Sequence, residues 1–173
     1  DTITDFTDGT DVLGMDNGLQ YTDLTIAQGT GDNANNTIIK SGSEYLTILE
    51  DVDISNINYY DFVSTATGDQ TLSGTSGNDV LLGASGVDTV NSSTGSDIIV
   101  TYGGDDAITV DGSGSKTIDG GTGTNTLSIN YSGLTGLSDF LVGEVLTTDG
   151  SNWTLTASNN DVITFKNIID YTY

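Results

Sequence analysis

Between Thr65 and Ser128 one aliphatic side chain recurs in each block of nine residues: Leu72, Leu81, Val90, Ile99, Ile108, Ile118 and Leu127. A glycine stands four positions ahead of each, at Gly68, Gly77, Gly86, Gly95, Gly104, Gly114 and Gly123. The phase slips once, at Val110, which reads as a one-residue bulge. The first six residues of a block are small, polar and glycine-bearing, which suits a tight turn. The last three, such as Val80-Leu81-Leu82 or Ile98-Ile99-Val100, are β-prone and short. Side chains on a strand alternate between its faces, so the central aliphatic points inward while its neighbours point out. Such a repeat predicts a right-handed parallel β-roll with two blocks per circuit, its circuits stacking at about 4.8 Å. Residues two blocks apart then lie one above the other.

The flanks carry weaker alternation. Residues 1–64 show strand patterns at Thr2–Phe6, Asp11–Leu13, Asp23–Ile26, Asn36–Ile39 and Glu44–Leu49. Turn signals at Asp8-Gly9, Asn17-Gly18, Gly29-Thr30-Gly31 and Ser41-Gly42 separate them. Residues 129–173 predict strands near Leu137–Leu146, Trp153–Ala157 and Val162–Ile169, with turns at Asp149–Asn152 and Ser158–Asn160. Phe140, Trp153 and Phe165 are expected to form a small core there. The expected organisation is all-β: an N-terminal β capping segment over 1–64, the β-roll over 65–128, and a C-terminal β segment over 129–173.

Composition narrows the chemistry. Among 173 residues there are 3 basic and 25 acidic side chains, a net charge of −22, and no His, Cys or Pro. A polyanion without a basic patch is repelled by nucleic acid and by anionic membranes. No apolar run approaches the roughly 20 residues of a membrane-spanning helix, so no membrane insertion is expected. Catalysis through His or Cys is excluded, as are zinc, haem and iron–sulfur sites of the His/Cys kind. Oxygen ligands remain, and they suit a hard cation.

Those oxygens recur in phase. Two positions ahead of each aliphatic come Gln70, Asp79, Asp88, Asp97, Asp106, Lys116 and Asn125. Stacking sets Asp79 beneath Asp97 and Asp88 beneath Asp106, on opposite edges of the roll. Two carboxylates about 4 Å apart repel by roughly 4 kcal/mol at an effective dielectric of about 20. That arrangement calls for a cation, and turn carbonyls can raise the ligand count to the six or more that calcium prefers. An isolated Asp in a glycine-rich loop is more often a turn or cap residue, but four in two stacked pairs favour an ion.

The blocks Gly74–Leu82 and Gly120–Ser128 resemble the RTX, or haemolysin-type, calcium-binding nonapeptide. The resemblance implies Ca2+ held between stacked turns. Each ion takes the carboxylate at position six and the carbonyls at two and four of one block. It also takes the carboxylate at six and the carbonyls at one and three of the block two further on. One site then comprises Thr75, Gly77, Asp79, Ser92, Thr94 and Asp97, and a second Ala84, Gly86, Asp88, Thr101, Gly103 and Asp106. Gln70 and Asn125 offer amide oxygens for weaker flanking sites. Lys116 cannot ligate a cation; stacked over Asp97, its ammonium is expected to stand in for the ion. The leading Gly-Gly of the family survives only in the last block, so Ser92-Ser93 and Thr101-Tyr102 must turn with side chains attached.

The N-terminal flank looks like the β segment that closes RTX rolls, with landmarks Thr2–Phe6, Leu24–Gly29 and Glu44–Leu49, and is expected to cover an open roll end. Asp1, Asp5, Asp8 and Asp11 read as turn residues in preference to a further ion site. The expected function is a calcium-binding structural module, without enzymatic activity, of a large secreted or cell-surface bacterial protein such as an adhesin, folding and rigidifying on calcium. The resemblance implies type I secretion. Expected partners are calcium ions and either extracellular glycans or further copies of the array. The alternative is a carbohydrate-binding accessory module of a secreted polysaccharide-active enzyme. The chain is expected to be a slice of a longer array.

Overall fold

The computed structural model describes residues 1–16, 18–130, 147–148, 153–156, 160–168 and 170–172. It comprises two compact units, Asp1–Thr65 and Ala66–Tyr173.

The first unit holds β1 (Thr2–Ile3), β2 (Leu13–Met15), β3 (Leu24–Gln28), β4 (Thr37–Ser41), β5 (Glu44–Leu49) and β6 (Phe62–Ser64). Strands β3, β4 and β5 form an antiparallel meander, and β1 adds parallel to β5. The Ser41-Gly42 signal is the β4–β5 turn, where Gly42 takes φ 56°. Strand β6, absent from the sequence reading, pairs in parallel with β2. Two short 3-10 turns, Ile54–Asn56 and Tyr59–Asp61, lead into it. Local polar bonds hold the second of these rather than hydrophobic periodicity. The Asn58 side chain accepts from Tyr60 N at 2.9 Å, and Asp61 Oδ2 accepts from Asn58 N at 2.7 Å. Met15, Ile39, Leu49, Val52 and Phe62 are buried.

The second unit is the roll. Its strands are β7 (Thr71–Ser73), β8 (Val80–Leu82), β9 (Thr89–Asn91), β10 (Asp97–Val100), β11 (Ala107–Asp111), β12 (Lys116–Asp119), β13 (Thr126–Asn130), β14 (Thr147–Thr148), β15 (Trp153–Thr156), β16 (Val162–Lys166) and β17 (Asp170–Thr172). From β7 to β13 successive strands alternate between two sheets, ordered β7-β9-β11-β13-β17 and β8-β10-β12-β16-β15-β14, the second ending in an antiparallel β14-β15-β16 run. Every pairing from β7 to β13 is parallel. One sheet lines up Leu72, Val90, Ile108 and Leu127; the other lines up Leu81, Ile99 and Ile118. All seven are buried in one hydrophobic cluster. At roughly 1.5–3 kcal/mol for each fully buried aliphatic, this cluster is the main apolar contribution to the roll.

Val110 is not a bulge. Strand β11 runs on through it in unbroken register with β13, pairing Val110 with Ile129, and both side chains are buried. The extra residue lengthens the strand, because Val110 lies two positions from Ile108 and shares its inward face.

Beyond Ser128, β16 and β17 continue the two sheets in parallel, pairing Ile118 with Phe165 and Leu127 with Tyr171. Phe165 is buried in the roll core. Trp153 does pair with Phe165 across β15 and β16, as expected, but is 43% exposed. Among the described residues the facing sheet stops at β17, while β15 lies one strand past β16. Phe140, the strand expected over Leu137–Leu146 and the turn Asp149–Asn152 lie outside the described residues.

Candidate metal centre

The turns stack because the fourth position of a block has no side chain. Gly95 and Gly104 take φ 111° and 121°. A Cβ on either would run into the carbonyl oxygen of Gly77 or Gly86, in the turn below. Glycine thus meets both the backbone conformation and the close approach that put position six of one block above position six of another.

A ladder of backbone amides and side-chain oxygens follows. Gln70 N donates to Asp88 Oδ1 at 2.9 Å, Asp79 N to Asp97 Oδ1 at 3.0 Å, and Asp88 N to Asp106 Oδ1 at 2.8 Å. Asp106 N donates to Asn125 Oδ1 at 3.0 Å. Asp79 and Asp97 therefore stack on one edge of the roll, and Asp88 and Asp106 on the other. Asp88, Asp97 and Asp106 each use one oxygen to hold the turn below, so the second oxygen decides the local chemistry.

In the two lower turns that oxygen closes on its own loop. Asp79 Oδ2 accepts from Thr75 N at 2.7 Å, and Asp88 Oδ2 from Ala84 N at 2.8 Å. In the next two turns the backbone changes. Ser93 and Tyr102, at position two, take φ 60° and 63°, and the carboxylates of Asp97 and Asp106 no longer fold back. Asp97 Oδ2 meets Lys116 Nζ at 2.7 Å, with both side chains fully buried. The same ammonium donates to Ser93 O at 3.0 Å and to Gly95 O at 2.6 Å. Its three protons thus face the carbonyls at positions two and four and the carboxylate at six of one block.

The equivalent atoms on the other edge are Tyr102 O, Gly104 O and Asp106 Oδ2. Here Asn125 replaces the lysine. Its Nδ2 turns to Gly120 O and Asn167 O, leaving Asp106 Oδ2 buried with no hydrogen-bond partner. Burial raises the Asp106 pKa, against the lowering effects of the bond from Asp88 N and of the neighbouring Thr101 hydroxyl, which itself donates to Gly120 O; the charges of Asp88 and Asp105 raise it further. A buried carboxylate oxygen beside turn carbonyls, with no proton donor, fits a hard cation.

The remaining predicted residues separate by exposure. Thr75 and Gly77 are exposed, Asp79 and Thr94 are half-buried, and Ser92 and Asp97 are buried. On the opposite edge Ala84, Asp88, Thr101, Asp106 and Asn125 are all buried, while Gly103 is half-buried and Gly86 partly so. Gly103 N donates to Ala84 O at 3.2 Å, and the Thr101 hydroxyl donates to Gly120 O at 3.1 Å. Among the described residues no three acidic side chains converge, so a cation here would take most of its oxygens from the backbone.

A second polar ladder escaped the sequence reading. Position-five side chains accept amides from the turn above: Asp69 Oδ1 from Val87 N at 2.9 Å, Asn78 Oδ1 from Ser96 N at 2.8 Å, and Asp105 Oδ1 from Thr124 N at 2.7 Å. Its sequence signal is an acid or amide directly before position six. In the N-terminal unit, Asp11 Oδ2 accepts from Thr7 N at 2.8 Å, a turn role. Asp8 lies against the buried Asp61, whose pKa rises through burial first and the Asp8 charge second, the bond from Asn58 N working against this.

Comparison with protein-family models matches residues 64–99 and 82–114 to the RTX calcium-binding nonapeptide repeat, in four copies. No curated protein matches the chain. The alternating parallel strands and the stacked position-six residues are the arrangement such repeats require. Residues 64–114 thus match an array of RTX calcium-binding nonapeptide repeats, and such repeats bind Ca2+ in a parallel β-roll.

Proposed function

We propose that the chain is a calcium-dependent structural segment of a large secreted or cell-surface protein, with its principal ion site on the Asp88–Asp106–Asn125 edge. The observation that carries this is the buried, partnerless Asp106 Oδ2. Asp88 and Asp106, with the carbonyls of Ala84, Gly86, Thr101 and Gly103, form the lower interval of that edge. Tyr102, Gly104, Asp106 and Asn125 form the upper one. Thr75, Gly77, Asp79, Ser92, Thr94 and Asp97 make a shallower set on the opposite edge. Calcium on the Asp88–Asp106–Asn125 edge would supply the positive charge that its stacked carboxylates lack. Because it binds the folded turns and not the separated strands, it stabilises the roll by mass action. Secretion fits this chemistry, since a roll whose Asp106 edge needs calcium stays incompletely closed where calcium is scarce and closes fully outside the cell. No helix among the described residues is long and apolar enough to cross a membrane.

The test is calorimetric titration of the intact chain with Ca2+, alongside Asp88→Ala and far-ultraviolet circular dichroism in chelator. The expected result is binding that Asp88→Ala weakens at least tenfold, with the strand signal reduced but not abolished in chelator. Absence of binding heat together with an unchanged spectrum would refute the proposal. The exposed Trp153 supports a second reading, glycan binding, which a glycan array probed with the same chain separates from the first.

A further inference from the structure

The two edges of the roll carry different residues at position six of the same structural level. On one edge position six above the strained turn is Lys116; on the other it is Asn125. We infer that Lys116 is a tethered cation that makes the Asp97 edge independent of calcium, so that calcium organises only the Asp106 edge. This rests on the calcium reading for the second edge but on geometry alone for the first.

Three observations carry it. Lys116 Nζ lies 2.6–3.0 Å from Gly95 O, Asp97 Oδ2 and Ser93 O, so all three ammonium protons are used. The side chain is 1% exposed although it sits on a short strand of a strongly acidic chain, and its stem lies under β16, which pairs Ile163 beside it. Ser93 and Tyr102 share one left-handed turn conformation, but Ser93 O is taken by Lys116 whereas Tyr102 O accepts from Thr122 N at 2.8 Å, so one edge is filled from within and the other holds a carboxylate oxygen without a donor. A covalently attached cation has no concentration dependence. The Asp97 edge therefore closes as soon as β12 docks on β10, and provides the template on which the second edge closes when calcium arrives.

The test uses the full chain and its three side-chain amines, Lys40, Lys116 and Lys166. Acylation in chelator, read by mass spectrometry, is expected to modify Lys116 at least tenfold more slowly than Lys40. Lys116 reacting as fast as Lys40 in chelator, and slowing only on calcium addition, would overturn the inference. A second measurement compares calcium stoichiometry in the wild type, Lys116→Asp and Lys116→Met. The aspartate variant is expected to gain one ion and the methionine variant none. Unchanged stoichiometry in a folded Lys116→Asp protein also overturns it, and if that variant does not fold the acylation pattern decides. A wild type that binds no calcium yet protects Lys116 in chelator would sink the proposed function and leave the tethered cation standing.

Discussion

Asp106→Asn isolates the charge on which the candidate site depends. The substitution retains an oxygen for the 2.8 Å bond from Asp88 N and replaces the partnerless Oδ2 with an amide. That amide can donate toward the turn carbonyls, as Asn125 Nδ2 does to Gly120 O. A buried polar atom without a partner costs about 1–3 kcal/mol, and more when charged. Relieving it should stabilise the calcium-free roll by about that much. For a unit of this size the gain corresponds to a melting temperature higher by on the order of 4 °C per kcal/mol. With calcium the sign reverses, because a neutral amide replaces an anionic ligand. A tenfold loss of affinity, about 1.4 kcal/mol, is the least expected. Thermal unfolding followed by circular dichroism, in chelator and in saturating calcium, reads both arms. The crossing of the two is diagnostic. Destabilisation in chelator would mean that Oδ2 bears no uncompensated charge, and stabilisation under both conditions would mean that it holds no ion.

Two further outcomes test other links. Gly104→Ala forces a Cβ into Gly86 O at a positive φ and should cost at least about 2 kcal/mol in denaturant unfolding, whereas Gly68→Ala, with nothing near its Cβ position, should change stability by less than about 1 kcal/mol. In the N-terminal unit the raised Asp61 pKa means that the folded state holds the proton more tightly than the unfolded one. Stability should therefore rise as pH falls from neutral through the folded pKa of Asp61 toward its ordinary 3.8, and Asp61→Asn should flatten that rise in a pH series of unfolding midpoints.

The roll was legible because its determinants are local and repeated. The inward aliphatics recur with the strand, and the glycines with the close approach of stacked turns. The match over residues 64–114 rests on the same period. Strand β6 and its preceding turns were not legible, since they depend on side-chain caps such as Asn58 and Asp61 rather than on periodicity. Alternation set Trp153 beside Phe165, where it lies, but it does not say how far such a ring is covered, and Trp153 is exposed.

At the site the division is finer. The nine-residue period by itself determined which residues stack: Asp79 with Asp97, Asp88 with Asp106, Lys116 over Asp97. It could not determine what each second carboxylate oxygen meets, because that depends on the turn conformation at position two. Only the tertiary structure decided that Asp79 and Asp88 close on their own amides, that Asp97 is taken by Lys116, and that Asp106 keeps an oxygen without a partner. The reason is physical: spacing along the chain sets the rung, whereas the path of the backbone between rungs sets where a carboxylate points.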